Sequence, residues 1–288
     1  DSLIYAYNDT GEHRIHIKDL VSGNDRLVSP AGGAAWNATF SPDQKHFVYT
    51  WQNDGNSHIY IAPVDGGEHI KLTEGSLTAF HPSFSPDGSQ VVYTDWKNRG
   101  IGIMNRDGTN QHLFAESEYA ESHPVFFKDG MRILFTSYRN RSDFGDPGIF
   151  IYHVETDEIE ETGYFGSYAR PSHDGKSIVF AGKRSKDADQ DIMIAELNVK
   201  PGLIPISMKN AVAITEGGGY DGHPAFTEDD KSIVFVSRRA QSLAFPPDEE
   251  NDTAGTNEVF IMDRDGKNII QLTHGGAVAW HPEIIKSR

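Results

Sequence analysis

The chain has 288 residues, of which 37% are hydrophobic, enough to build one large or two small cores. Its 26 basic and 42 acidic residues give a net charge of −16, and such a surface repels phosphates, so we expect no nucleic-acid partner. Cysteine is absent, which excludes disulfides and thiolate metal sites. No run of about 18 apolar residues is present, so we expect no membrane insertion.

Three strand-like runs open the chain, at 3–6, 14–17 and 26–28. From Trp36 onward, one unit then recurs. An aromatic or aliphatic strand leads into a Ser-Pro-Asp type turn, and two more β-branched runs and an Asp-Gly turn follow. The turn aspartates lie 42 to 55 residues apart, at Asp43, Asp87, Asp129, Asp174 and Asp229.

Each unit contains enough turn-bounded β-branched runs for four short strands, called a to d here, with a innermost. Four strands every 40–50 residues, with no long amphipathic helix between them, are typical of a β-propeller. Residues 281–285 form an orphan strand a, and the first 29 residues supply strands b to d, so joining them closes a ring. We therefore predict an all-β, six-bladed propeller in a single domain, with blades at 278–287 plus 1–29, 36–73, 80–114, 122–163, 167–215 and 222–273.

The repeated Phe-Ser-Pro-Asp-Gly turn, the aliphatic strand b ending in Thr or Ser, and the I-x-I-M strand before Arg-Asp-Gly resemble the TolB-type propeller repeat. This resemblance covers essentially the whole chain. It implies a TolB-like six-bladed propeller in the periplasm or secreted, and no signal peptide precedes Asp1, as expected of a processed product. Function does not follow from it, because TolB-like propellers include partner-binding proteins, peptidase-associated propellers and a lyase.

Loops b–c and d–a meet at one end of the propeller, which we call the upper face; turns a–b and c–d meet at the lower face. The b–c loops lengthen around the ring, so we expect binding at the upper face and the channel mouth. The residue six before each turn aspartate enters the channel there. These six ring residues are Asn37, His81, His123, Tyr168, His223 and, by the same offset, His281.

Four imidazoles in this ring permit two interpretations. His-Pro is a simple strand opener with each imidazole hydrogen-bonded to its neighbours, or His81, His123, His223 and His281 hold one divalent ion such as Mn, Ni or Zn. The channel histidines are similar in repeat position to those of oligogalacturonate lyase, a larger TolB-like propeller, where they bind its metal. That enzyme has two histidines within one stretch of a blade, and here each blade offers one.

Aromatic and cationic residues also fall on the upper face. Trp36 and Trp280 precede ring positions and either wedge between blades or form a platform for sugars, whereas we expect Trp51 and Trp96 to be exposed. Cations follow strand b, and any one of them either pairs with a blade-edge carboxylate or joins a positive rim suited to uronic acids. The candidate ligand-binding cations are Arg99, Arg139, Arg141, Arg184, Arg238 and Arg239.

Two functions stay open. The first is a non-catalytic binding module that holds a carbohydrate, acidic or neutral, or a protein segment; no hydrolase motif is visible in the sequence.

 The second is a metal-dependent lyase on a uronate glycan, in which Arg139 or Arg238 removes the proton beside a metal-bound carboxylate. Either way the partner lies at the upper face of a monomer. The acidic tract 248–252 in the longest loop forms a lid, binds a cation or is disordered.

Overall fold

A computed structural model describes the chain except residues 9–10, 54, 76, 144, 198–210, 218, 240–256, 275–277 and 286–288. Its 24 strands form six four-stranded antiparallel sheets, and the described residues contain no helix. The predicted all-β, six-bladed propeller is therefore confirmed. None of the described residues belongs to a helix long and apolar enough to cross a membrane.

The sheets follow the chain in blocks of four strands, except that the first sheet takes its innermost strand from the C-terminal end. The first blade contains β24 (Val278–Ile285), β1 (Ser2–Asn8), β2 (His13–Asp19) and β3 (Asp25–Leu27). The second contains β4 (Ala34–Phe40), β5 (His46–Asn53), β6 (Asn56–Pro63) and β7 (Ile70–Lys71). The third contains β8 (Ala79–Phe84), β9 (Gln90–Asp95), β10 (Gly100–Asn105) and β11 (His112–Phe114).

The remaining three blades repeat this plan. The fourth contains β12 (Glu121–Phe126), β13 (Arg132–Arg141), β14 (Pro147–His153) and β15 (Glu158–Phe165). The fifth contains β16 (Ser167–Pro171), β17 (Ser177–Lys183), β18 (Gln190–Glu196) and β19 (Val212–Ala213). The sixth contains β20 (Asp221–Phe226), β21 (Ser232–Ser237), β22 (Glu258–Asp263) and β23 (Ile270–Gln271).

The ring closes by pairing β24 with β1. Ile285 lies opposite Ser2, and Val278 lies opposite Asn8. This pairing places the last described strand against the channel and covers the edge that β1 would otherwise expose. Apolar side chains of neighbouring blades then pack together; Leu3 and Tyr5 of the first blade, for example, share a core cluster with Val234 and Val259 of the sixth.

Every innermost strand carries the same β-bulge. Between two paired positions, the inner strand advances three residues while its partner advances two, as from Phe80 to Ser83 opposite Thr94 and Val92. The pairings shift at the equivalent place in all six blades. A bulge leaves one residue unpaired and redirects its side chain. Each unpaired stretch begins with one of the six ring residues.

All six ring residues adopt the left-handed backbone conformation, with φ between 50° and 59°. Non-glycine residues rarely occupy this region, and asparagine and histidine are enriched among those that do. The backbone requirement of the bulge therefore accounts in part for the residue types found at this position. It also gives six side chains from six blades a common orientation.

Candidate binding channel

The ring residues converge on the propeller axis. His81 and His123 lie with their ring centroids 3.7 Å apart, and Tyr168 and His223 are 3.6 Å apart. His281 completes the circle, 4.0 Å from His223 by ring centroids, and its Nε2 lies 2.7 Å from the Asn37 amide nitrogen. The convergence expected from the repeat offset is present in the structure.

Neighbouring hydroxyl groups orient two of these side chains. The Thr50 hydroxyl donates to Asn37 Oδ1 over 3.3 Å. Nδ1 of His123 lies 2.9 Å from the Ser122 hydroxyl, whereas its buried Nε2 has no hydrogen-bond partner among the described residues. Local hydrogen bonds therefore satisfy part of the ring, as the strand-opener interpretation expects, but within the described residues they do not reach Nε2 of His123.

Burial keeps the ring histidines neutral. Desolvation, reinforced by the charge of Arg170, lowers the pKa of His81 to about 3. Burial is the main reason that the pKa of His123 lies well below its ordinary value, and the neighbouring imidazoles of His81 and His223 lower it further. The pKa values of His223 and His281 are lowered for the same main reason. Neutral imidazoles keep a lone pair, which is the form that binds metal ions.

Three of the four predicted metal ligands form a compact set. One nitrogen from each of His81, His123 and His281 lies within 4.8 Å of the others. Imidazoles that share one ion typically place their nitrogens somewhat closer than this. Small rotations of the three side chains would bring the nitrogens to the spacing of a coordination site. His223 is not a member of this set among the described residues. The arrangement fits a divalent ion bound by three histidines.

A cavity of about 320 Å³ occupies the channel. The ring residues His123, Tyr168, His223 and His281 line its upper end. It extends along the innermost strands to the a–b turns of the lower face, where Lys128 is exposed. The concave space thus lies mainly below the ring, whereas the sequence analysis placed binding at the upper face and the channel mouth.

Two charged residues in this cavity were missed by the sequence analysis. Arg170 and Glu283 each follow a ring residue by two positions and line the cavity one layer below the ring. The same offset gives uncharged residues in the other four blades, namely Thr39, Ser83, Val125 and Ala225. Applying the repeat offset a second time would have found both charges, because alternate residues of a strand share a face.

Burial disfavours both of these charges. Desolvation lowers the pKa of Arg170, and the nearby Glu283 carboxylate opposes this effect. Desolvation raises the pKa of Glu283, and both Arg170 and the Phe40 backbone N–H oppose it. The channel therefore contains a cation and an anion in an environment that destabilises the charged form of each.

Most arginines of the predicted cationic rim form ion pairs or hydrogen bonds with residues of the blades. Arg139 donates to the fully buried Glu121 over 2.7 Å, and Arg239 donates to the fully buried Asp221 over 2.6 Å. Arg184 pairs with Asp191 over 2.6 Å and Glu216 over 3.1 Å. These contacts are the blade-edge ion pairs that formed one alternative for the rim.

The other three rim arginines have contacts of their own. Arg99 donates to the Glu118 carbonyl. Arg141 lies over the Tyr138 ring at 4.5 Å. Arg238 donates to Asn257 over 3.1 Å and lies 5.5 Å above Tyr220. Neither candidate base, Arg139 or Arg238, is held in the channel cavity.

The tryptophans divide into packed and exposed side chains. Trp96 is 50% exposed, as expected. The expected exposure of Trp51 is wrong, because its ring packs edge-on against Tyr60 at 4.9 Å and its indole nitrogen is buried. Trp36 stacks on Phe80 of the next blade, with ring centroids 6.3 Å apart, so it packs between blades, which was one of its two predicted roles. The Trp280 side chain and the acidic tract 248–252 lie outside the described residues.

Comparisons with known proteins agree with this architecture. Residues 1–100 match the family model of the TolB beta propeller domain, PD40. TolB from Acinetobacter baumannii superimposes with a TM-score of 0.77 at 20% identity, over 99% of this chain and 67% of that one. A putative TolB from Agrobacterium tumefaciens has a TM-score of 0.68 at 19% identity, over 94% and 88%. A search of curated protein sequences returns no match.

A lyase is also among the similar structures. Oligogalacturonate lyase in complex with manganese superimposes with a TM-score of 0.58 at 16% identity, over 90% of this chain and 73% of that chain. At these identities, the structural similarities establish a shared fold alone. Together with the family match over residues 1–100, they confirm the expected TolB-like propeller fold, and they do not identify its ligand.

Proposed function

We propose that this TolB-like six-bladed β-propeller is a binding module whose ligand site is the central channel. The observation that carries the proposal is the 320 Å³ cavity below the ring, which collects imidazoles, Arg170 and Glu283 from separate blades. Concave sites with a few convergent polar groups on an apolar lining are typical of ligand binding. The proposed ligand is a small molecule or the end of a protein segment.

We favour binding over catalysis because the candidate base Arg139 already forms a structural ion pair. Arg139 is committed to Glu121, and removing it would leave a carboxylate buried without its cation. A residue that stabilises a buried charge is poorly placed to exchange protons with a substrate. The exposed Trp96 supplies a second contact surface at the upper face, suited to a sugar ring or an apolar side chain. We place the protein in the periplasm or outside the cell.

The binding proposal is tested by filling the channel. Ala225 lines the cavity, so Ala225→Phe should reduce the available volume, and Val154→Phe introduces the same side chain at a position that is 37% exposed. Calorimetric titrations use trigalacturonate, maltotriose and triglycine as acidic, neutral and zwitterionic probes. We expect at least one probe to bind the parent and Val154→Phe and to lose tenfold or more in affinity for Ala225→Phe.

Two results would contradict the binding proposal. One is that no probe binds the parent at millimolar concentration. The other is that a probe binds Ala225→Phe as tightly as the parent, which would place its site outside the channel. Urea unfolding of each variant checks that a loss of affinity does not come from a loss of folded protein.

A metal-dependent uronate lyase is the second candidate, and the histidine set favours it. His81, His123 and His281 would hold the ion, and the unpartnered Nε2 of His123 is a nitrogen available for it. A divalent ion bound there supplies Lewis acidity toward a substrate carboxylate. The remaining upper-face contacts would orient the glycan.

Elemental analysis tests this second candidate. About one Mn, Ni or Zn per chain in the parent, lost in His81→Asn/His123→Asn, would establish the metal site. Release of an unsaturated sugar from polygalacturonate, followed by its ultraviolet absorbance, would establish the lyase. A parent that stays metal-free after incubation with all three ions would dismiss both, and a metal-loaded parent without product would dismiss the lyase alone.

A further inference from the structure

The layer below the ring contains a cation and an anion, Arg170 and Glu283, that are near each other without forming a direct ion pair. The Arg170 guanidinium has no hydrogen bond or ion pair with any residue in the described part of the chain. Glu283 accepts a hydrogen bond from the Phe40 backbone N–H over 3.0 Å. No ion pair within 4.0 Å joins Arg170 to Glu283. Both side chains nevertheless line the same cavity.

Arg170 and Glu283 belong to blades that are not adjacent, which explains why their side chains form no direct ion pair. Arg170 lies on β16 and Glu283 on β24, and β20 stands between these two innermost strands. The residue that β20 contributes to the same layer is Ala225. Its methyl side chain adds little bulk to the cavity that Arg170, Ala225 and Glu283 all line.

Two separated charges of opposite sign select for a ligand with the same property. A buried charge is costly unless a partner offsets its desolvation. A monoanion would pair with Arg170 and bring its own charge toward Glu283, and a monocation would have the converse problem. A molecule that carries one carboxylate and one ammonium group offsets both protein charges at once.

We propose that the channel binds a small zwitterion, an amino acid or a short peptide, with its carboxylate on Arg170 and its ammonium on Glu283. This inference rests on the channel being the ligand site proposed above. The planar guanidinium binds a carboxylate through two parallel hydrogen bonds. Oε1 of Glu283 would accept from the ammonium while Oε2 keeps the hydrogen bond from the Phe40 amide.

A homologous series of probes tests the charge separation. Glycine, β-alanine, 4-aminobutyrate, 5-aminovalerate and 6-aminohexanoate differ in the spacing of the two charges, and triglycine extends the series. Butyrate and butylamine each retain one charge. By calorimetric titration, we expect one spacing to bind at least tenfold more tightly than either singly charged compound.

Charge-removing variants test the two contacts separately. Arg170→Met and Glu283→Gln should each weaken the best zwitterion tenfold or more. Arg170→Met should come to prefer butylamine over butyrate, and Glu283→Gln should show the opposite preference. Lys176→Met removes a lower-face charge whose side chain is 79% exposed and should bind like the parent. Should Arg170→Met fail to fold, Arg170→Lys keeps the charge without the planar fork and should bind more weakly than the parent.

The zwitterion assignment is overturned if butyrate or butylamine binds as tightly as every zwitterion, or if both charge-removing variants bind unchanged. Its failure is distinguishable from failure of the binding proposal. Trigalacturonate or maltotriose binding that Ala225→Phe abolishes, with no binding of any zwitterion, would refute the zwitterion and retain the channel. Absence of binding by every probe would refute both.

Discussion

His81 and His123 lie against one another in the channel, with ring centroids 3.7 Å apart and ring planes inclined by 36°. They come from adjacent blades and are brought together because the same bulge displaces each of them from its strand. Two protonated imidazoles at this separation would repel each other in a medium that already disfavours charge. The ring is therefore built for neutral histidines, and its stability depends on pH.

Acid should destabilise the protein through these histidines. The pKa of His81 falls from its ordinary 6.5 to about 3 on folding, so below pH 6.5 the unfolded chain takes up protons that the folded one refuses. Stability is thus lost as pH falls from about 6.5 toward 3, and His81 alone accounts for at most about 2 kcal/mol between pH 7 and 5. Urea unfolding of parent and His81→Asn at both pH values, with EDTA present, measures this difference. An equal pH dependence in the two proteins would contradict the expectation.

Arg139 should stabilise the fold although a quarter of its side chain is exposed. It donates to Oε1 of the fully buried Glu121, and Oε2 of that carboxylate has no hydrogen-bond partner in the described part of the chain. Arg139→Ala should cost about 3 kcal/mol in the free energy of unfolding, because it leaves the carboxylate uncompensated. Arg141→Ala, which removes a cation over Tyr138, is the matched control and should cost under about 1 kcal/mol. Similar urea midpoints for the two variants would show that the Arg139 ion pair contributes little.

Trp51 and Trp96 should respond differently to truncation. Trp51 is partly buried and packs against the core cluster shared by the first and second blades, so Trp51→Ala should cost about 2 kcal/mol or more. Trp96 is 50% exposed, and Trp96→Ala should change stability by less than about 0.5 kcal/mol. Thermal unfolding of both variants checks the contrast. A large loss on truncation of Trp96 would show that it packs in solution.

The closure between β24 and β1 should permit circular permutation. Moving residues 278–288 to precede Asp1 restores the order of strands in the first blade, because Ile285 already pairs with Ser2. We expect the permuted chain to keep the parent's circular dichroism spectrum and to unfold within a few degrees of it. Deleting the same residues removes an innermost strand and should prevent cooperative unfolding. A permuted chain that fails to fold would contradict the observed pairing.

The repeat made the fold and the ring predictable from sequence. Asn37 and His281 occupy the same position in the repeated innermost strand, so their convergence follows from the repeat alone. Trp51 was misjudged because its polar sequence neighbours do not reveal that Tyr60, on the next strand, covers its ring. The engagement of Arg139 depends on Glu121, a partner 18 residues away that no local pattern identifies. Arg170 was missed because it is the one cation in its layer, and a search for recurring residue types passes over a residue that does not recur.

The central claim is that ligand binds inside the channel, between the ring and the lower face. The most direct measurement is a crystal structure of the protein soaked with the tightest-binding zwitterion of the homologous series. We predict density in the cavity, with the carboxylate at Arg170 and the ammonium at Glu283. Density at Trp96 on the upper face, with the cavity holding only water, would contradict it.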